Sequence, residues 1–228
     1  MLLCEYVLMD KSIYGVCRTK HLQKRQAYYP NDHQVNSFES GHHLNEFIRL
    51  CPWEAEALAT LSSCAKHGIV EIGRYNGGST LLMALSNKTV PIDSIDICPQ
   101  DDSKLLSIFS KFEVGTNVKL HTADANTIDP DLLRSSDYQG FDLLFIDGDH
   151  TLQGCLSDLN TWYSRLAPGG VVVLHDCYNS QSINNNVLDA LLAFIKYESV
   201  SFIIPPPLTD RVYENRYGSI CAFAKASR

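Results

Sequence analysis

Residues 141–177 read FDLLFIDGDHTLQGCLSDLNTWYSRLAPGGVVVLHDC. Two runs in it, FDLLFID at 141–147 and GGVVVLHD at 169–176, are apolar enough to be covered on both faces. That pattern suits inner strands of a parallel sheet. Between them, residues 152–166 read as a helix, with Pro168-Gly169-Gly170 predicted to end it. Strand, helix and strand in this order form one βαβ unit, so the fold class follows from a single stretch.

The alternation extends in both directions. Upstream, Pro52 suits the first turn of a helix, WEAEALATLSSCAKHG has apolar spacing of three and four, and Gly68 stops it. A strand at Ile69 to Ile72, a helix in GGSTLLMALSN and a strand at Ile92 to Ile97 follow. DDSKLLSIFSKF reads as an amphipathic helix capped by Asp101 or Asp102, and VKLHTAD as another strand apolar enough to be buried on both faces. Downstream, NNNVLDALLAFIKYES predicts a helix, and SFIIPP and SICAFAK predict two strands. Only the polar LTDRVYENRYG lies between those strands, which predicts an antiparallel hairpin at the sheet edge. The expected architecture is a doubly wound, mostly parallel α/β sheet over residues 46–228. Residues 1–45, with the turn-like YYPND at 28–32, read as an N-terminal extension that caps or dimerises the domain.

Composition narrows the function. A chain of 228 residues with 45% apolar and 20% charged residues suits one globular domain and excludes collagen-like, low-complexity and wholly disordered readings. No apolar run approaches the ~20 residues of a membrane span. The opening MLLCEYVLMD lacks a basic region and carries Glu5, so no signal peptide is expected. A net charge of −7 argues against a nucleic-acid partner, and the short cluster Arg18, Lys20, Lys24, Arg25 reads as solvated surface. The eight cysteines form no CxxC pair and several sit in apolar runs, which suits reduced, buried thiols and a cytoplasmic setting.

The chemistry gathers at strand ends, where ligands sit in such sheets. The first strand runs into Glu71-Ile72-Gly73-Arg74-Tyr75-Asn76-Gly77-Gly78-Ser79-Thr80. The glycines permit a tight turn and close backbone approach, and the helix after them offers free N–H groups. The second glycine comes four residues after the first, so the dinucleotide fingerprint G-x-G-x-x-G is absent. Glu71, two residues before Gly73, would repel a pyrophosphate and suits a ligand presenting a cation. Asp96 ends the second strand, where a carboxylate accepts ribose hydroxyls or caps a turn. Asp124 closes the third and can face an adenine amino group.

These segments, with VEIGRYNGGSTLLMA, IDSIDIC, HTADA and the FIDGDH run, resemble the class I S-adenosylmethionine-dependent methyltransferases. The nearest resemblance is to the small-molecule O-methyltransferase-like group, over roughly residues 50–226. It implies a seven-stranded, Rossmann-like sheet with a reversed last strand. It also implies that Glu71, Gly73, Arg74, Tyr75, Gly77, Gly78 and Ser79 hold the methionyl part of S-adenosylmethionine, directly or through water. Asp96 and Ile97 would then border the ribose, Asp124 and Ala125 the adenine, and Asp147 and His150 the reactive end.

The acceptor side is expected at Asp147-Gly148-Asp149-His150 and His175-Asp176-Cys177, where two more strands end. Removing a proton from a hydroxyl acceptor needs a base or a metal. Asp147, His150 and Asp176 are the candidate catalytic residues. Metal-dependent relatives carry an aspartate after the fourth strand and Asp-Asn after the fifth. Asp147 and Asp176 match that pattern as ligands for a divalent cation such as Mg²⁺, with Cys177 in place of the asparagine. A thiol is a poor ligand for a hard cation, so Asn179 or Asp149 would have to substitute, or His150 would act as base with no metal. Residues 209–217, with Tyr213 and Tyr217, are expected to help shape the acceptor pocket. The predicted function is methyl transfer to a small-molecule hydroxyl. The alternatives are a cofactor-binding partner subunit without turnover and, less well matched, a nicotinamide-dependent oxidoreductase.

Overall fold

The computed structural model describes residues 47–50, 52–129, 132–133, 140–177, 186–205 and 220–226. The predicted N-terminal extension, Asn179 and the 209–217 segment lie outside them. Chain order is α1 (Pro52–Cys64), β1 (Ile69–Ile72), α2 (Gly78–Ser86), β2 (Ile92–Asp96), α3 (Asp102–Phe112), β3 (Val118–Thr122) and β4 (Phe141–Ile146). Then come α4 (Leu152–Tyr163), β5 (Leu166–Leu174), α5 (Val187–Phe194), β6 (Val200–Ile204) and β7 (Cys221–Lys225). The strands form one seven-stranded sheet in the order β3-β2-β1-β4-β5-β7-β6. The first five are parallel, and β7 runs antiparallel to both β5 and β6. The doubly wound sheet with a reversed last strand is therefore as predicted.

Side-chain alternation makes two cores from one sheet. Ile69, Leu143, Phe145, Val171 and Val173 pack under α1, α2 and α3. Their neighbours Val70, Leu144, Ile146, Val172 and Leu174 pack under α4 and α5. Trp162 and Tyr163 belong to the second core.

Two local expectations are corrected. Helix α4 stops at Tyr163, before the prolyl-glycyl segment, and Lys225 of β7 donates to the carbonyl oxygens of Tyr163 (2.8 Å), Ser164 (3.2 Å) and Leu166 (2.7 Å). A cation from a distant strand thus takes the carbonyls left at the helix end. Pro168-Gly169-Gly170 lies inside β5 instead. Pairing jumps from Phe141↔Leu166 to Leu143↔Val171, so the surplus residues bulge out, and there a missing proline N–H breaks no ladder bond. Strand β3 also differs: it is an edge strand, and only His121 in it is buried.

The β1–α2 connection shows why it is glycine-rich. Gly73 has φ +87°, and a Cβ there would lie 2.1 Å from the carbonyl oxygen of Asp147. A Cβ on Gly78 would lie 2.2 Å from the carbonyl oxygen of Phe47. Close approach to β4 thus dictates glycine at 73. Gly73→Ala should cost roughly 2–4 kcal/mol, combining left-handed strain with backbone overlap. Denaturant unfolding of the variant checks this, and an unchanged midpoint would contradict the close approach.

Candidate active site

A cavity of about 820 Å³ opens at the carboxyl ends of β1, β2, β3 and β4. It lies at the point where the strand order turns outward in both directions from β1 and β4, the expected place for a ligand in this sheet. Of the predicted residues, Gly73, Arg74, Tyr75, Gly78, Ser79, Asp96, Ile97, Asp124, Ala125, Asp147, His150 and Asp176 line it. Glu71 and Gly77 do not.

Glu71 is completely buried. Its carboxylate accepts hydrogen bonds from the hydroxyls of Ser79, Thr80 and Ser94, each at 2.5 Å. Burial pushes its carboxyl up, while those hydroxyls and the charge of Arg74 pull it back. It stands behind the turn, joining β1 to α2 and β2, rather than in the cavity wall. Arg74 is also committed to the frame. Its Nε and Nη2 donate to Asp102 at 2.8 and 2.9 Å, and its Nη1 donates to the Ser94 carbonyl at 2.8 Å. The backbone of Arg74 lines the turn while its guanidinium ties the turn to α3 and β2.

Asp96 caps the glycine turn from the end of β2. Its Oδ2 accepts the N–H groups of Arg74 and Tyr75 at 2.7 Å each, and its Oδ1 accepts that of Cys98 at 2.7 Å. The carboxylate fixes the glycine turn and still borders the cavity, with acceptor capacity left on Oδ1. Asp124 accepts the N–H of Asn126 at 2.8 Å, and the Ala125 carbonyl accepts from Trp162 Nε1 at 3.1 Å.

Asp147, His150, His175 and Asp176 line the cavity as one cluster, with the buried Glu54 beside His175. His175 Nδ1 lies 3.1 Å from Asp147 Oδ1 and 3.4 Å from Asp176 Oδ2, and its Nε2 lies 3.2 Å from Glu54 Oε2. His150 Nε2 lies 3.3 Å from Asp147 Oδ1 and 3.6 Å from Asp176 Oδ2. Burial disfavours charge on His175, yet Asp147, Asp176 and Glu54 hold its pKa well above the ordinary histidine value. The hydrogen bond to Asp147 raises that of His150. Burial works against the Asp147 carboxylate, but the charge of His175 and the bonds from both imidazoles hold it below the usual carboxylate range.

This donor set fits a divalent cation poorly. Asp147, His175 and Asp176 do bring one ligand atom each within 4.8 Å of one another. The His175 Nδ1 lies 3.1 Å from Asp147 and 3.4 Å from Asp176, however, and competes for oxygens a hard ion would take. Cys177, where the metal-dependent pattern has asparagine, is buried, and its hydrogen bond with Cys221 followed by burial keeps its thiol protonated. Asp147 and Asp176, the residues expected as metal ligands, are brought together here with the His175 imidazole between them.

Sequence reading missed Glu54, Asn126 and Asp158. Glu54 reads as an ordinary acidic residue in a first helical turn. Asp158 did carry a signal, since it falls among Cys155, Leu159 and Trp162 on the buried stripe of α4. Its Oδ1 accepts from Asn126 Nδ2 at 2.9 Å.

Residues 70–177 match the family model of a methyltransferase domain. An uncharacterised protein of Acanthamoeba polyphaga mimivirus is 37% identical over 114 residues, 47% of this chain and 50% of that protein. The chain thus matches about half the length of that relative. Among solved structures, cofactor-bound Rv0187 from MTB superposes with a TM-score of 0.61 at 16% identity, covering 79% of this chain and 83% of that one. TomG, the Streptomyces achromogenes O-methyltransferase of tomaymycin synthesis in complex with SAM, gives 0.58 at 15% identity over 97% and 93%. The SAH-bound Podospora anserina methyltransferase PaMTH1 gives 0.55 at 17% identity over 93% and 88%. At such identities the likeness establishes the fold, a Rossmann-like methyltransferase sheet. No helix among the described residues is long and apolar enough to cross a membrane.

Asp158 yields a pH prediction. Burial raises its carboxyl to about 6, against the bond from Asn126 and with the charges of Asp124 and Asp149 adding to the rise. A raised folded-state carboxyl costs stability as pH climbs from the unfolded value through about 6, and the cost is complete above that. Asp158→Asn keeps an oxygen for Asn126 and removes the charge. It should stabilise the protein by on the order of 1–2 kcal/mol at about pH 8 and have little effect near pH 4. Unfolding at both pH values checks this, and an equal effect at both would refute the assignment.

Proposed function

We propose that this protein transfers a methyl group from S-adenosylmethionine to a hydroxyl of a small molecule. The observation that carries the reading is the continuity of one cavity. The glycine turn and Asp96 line it together with the Asp147, His150, His175 and Asp176 cluster. The methyltransferase-domain match over residues 70–177 spans both and supports the reading.

The donor supplies a methyl carbon on a sulfonium. The acceptor oxygen forms a bond to that carbon as the carbon–sulfur bond breaks, with its electron pair going to sulfur. Much of the barrier is met by holding the two in line, which the rigid turn and the adjoining β4 end do together. The hydroxyl proton needs a base. His150 presents Nε2 to Asp147 and Asp176, which leaves Nδ1 as the nitrogen that takes the proton. Asp147 and Asp176 orient that ring and stabilise the imidazolium it becomes. His175, held between Glu54 and Asp147, acts as a fixed positive charge that positions Asp147.

Calorimetric titration with S-adenosylhomocysteine, against NAD as control, should show binding of the first ligand alone. Across a panel of hydroxylated acceptors, His150→Ala and Asp147→Asn should each lower transfer by about 10²-fold or more. Both should leave S-adenosylhomocysteine affinity within about threefold, and a chelator should leave transfer unchanged. Full transfer by both variants would overturn the assigned base. Cofactor binding with no turnover on any acceptor would favour the partner-subunit reading.

A further inference from the structure

The glycine turn has a second wall for which donor binding as described gives no role. Residues 47–50 lie across it, with the Phe47 carbonyl pressed where a side chain on Gly78 would stand. Phe47, Arg49 and Leu50 line the same cavity as the turn. Arg49 is exposed, and its guanidinium carbon sits 5.1 Å from the centre of the Tyr75 ring. Tyr75 is held by the turn at φ +50°.

The charges of the cavity are lopsided. Asp96, Asp124, Asp147, Asp149, Asp158 and Asp176 line it, against Arg49, Arg74, His150 and His175. Arg74 is spent on Asp102, Ser94 and His121. Both histidines lie against Asp147 and Asp176. Among the described residues, Arg49 pairs with no carboxylate, and its guanidinium lies over the face of Tyr75. A carboxylate bound anywhere else in this cavity would meet repulsion or an already paired cation. Beside Arg49 it would also meet the opening of α2 at Gly78 and Ser79, where backbone N–H groups and the helix dipole favour an anion.

We infer that Arg49 clamps the α-carboxylate at the amino-acid end of the donor, an inference that rests on the donor reading above. The geometry suits a guanidinium: its face lies on the Tyr75 ring while its edge stays free to take both oxygens of a carboxylate. The ring orders the cation before the ligand arrives, which lowers the entropy cost of the pairing. Arg49 thereby sets a preference for donors that carry the amino-acid end over those that lack it.

Two ligands separate the possibilities. S-adenosylhomocysteine carries the carboxylate, and 5′-methylthioadenosine keeps the adenosine and thioether without it. Calorimetry on the wild type, Arg49→Ala and Arg49→Lys should show S-adenosylhomocysteine weakened about tenfold by alanine and partly recovered by lysine. 5′-Methylthioadenosine should bind all three proteins equally. An alanine variant that binds S-adenosylhomocysteine within twofold of the wild type would overturn the clamp. So would an equal loss for both ligands, which would mean that Arg49 only props the pocket through Tyr75. A wild type that takes up neither ligand would overturn the donor reading itself.

Discussion

A carboxylate with no access to water must be satisfied from within the fold, and Glu71 sets that demand at the centre of the sheet. Three hydroxyls from two different elements answer it: Ser79 and Thr80 from α2, and Ser94 from β2. The start of α2 is thereby drawn down onto the ends of β1 and β2. Arg74 extends the same network to α3 and the β3 end, and the Asp96 carboxylate gathers the turn's N–H groups from the side. A buried polar network is costly when incomplete and rigidifying when satisfied. Here it is closed, and the turn facing the cavity inherits its stiffness.

The neighbouring wall, at the ends of β4 and β5, is built from charge. Glu54, Asp147 and Asp176 surround His175, and His150 adds a second imidazole. Glu54 comes from α1 and the others from the ends of β4 and β5, so the cluster also fastens the first helix to the carboxyl ends of those strands. Asp176 takes φ +52°, a strained backbone for a non-glycine residue, and the ion pairs around its carboxylate hold it there. One wall of the cavity is thus fixed by neutral hydroxyls on a buried acid, and the neighbouring one by imidazole–carboxylate contacts.

Much of this was legible in the chain. The runs around Ile69, Leu143 and Val171 read as buried parallel strands because both of their faces are apolar, and both faces are indeed covered. The glycine turn was legible for the same reason: left-handed backbone and close approach leave few residue choices. What escaped depended on partners distant in sequence. Nothing near Tyr163 announces that Lys225 ends α4, and a proline with two glycines signals a break equally well at a helix end and in a strand bulge. Glu71 looked like a ligand group because sequence shows its charge and not the three hydroxyls folded onto it. Cys177 flagged a departure from the metal-dependent pattern, but the bridging place of His175 needed coordinates.

The position of β7 bears on the order in which the molecule can be made. Strand β6 is bonded in the sheet through β7 alone, although β7 comes after it in the chain. During synthesis β6 therefore emerges before its docking partner exists, and the flank of β5 stays open meanwhile. The five parallel strands and the cavity ends they carry need no such wait. The last strand then zips two edges at once, and Lys225 reaches the end of α4 in the same step. Closure of the sheet and capping of a helix laid down much earlier become one late event.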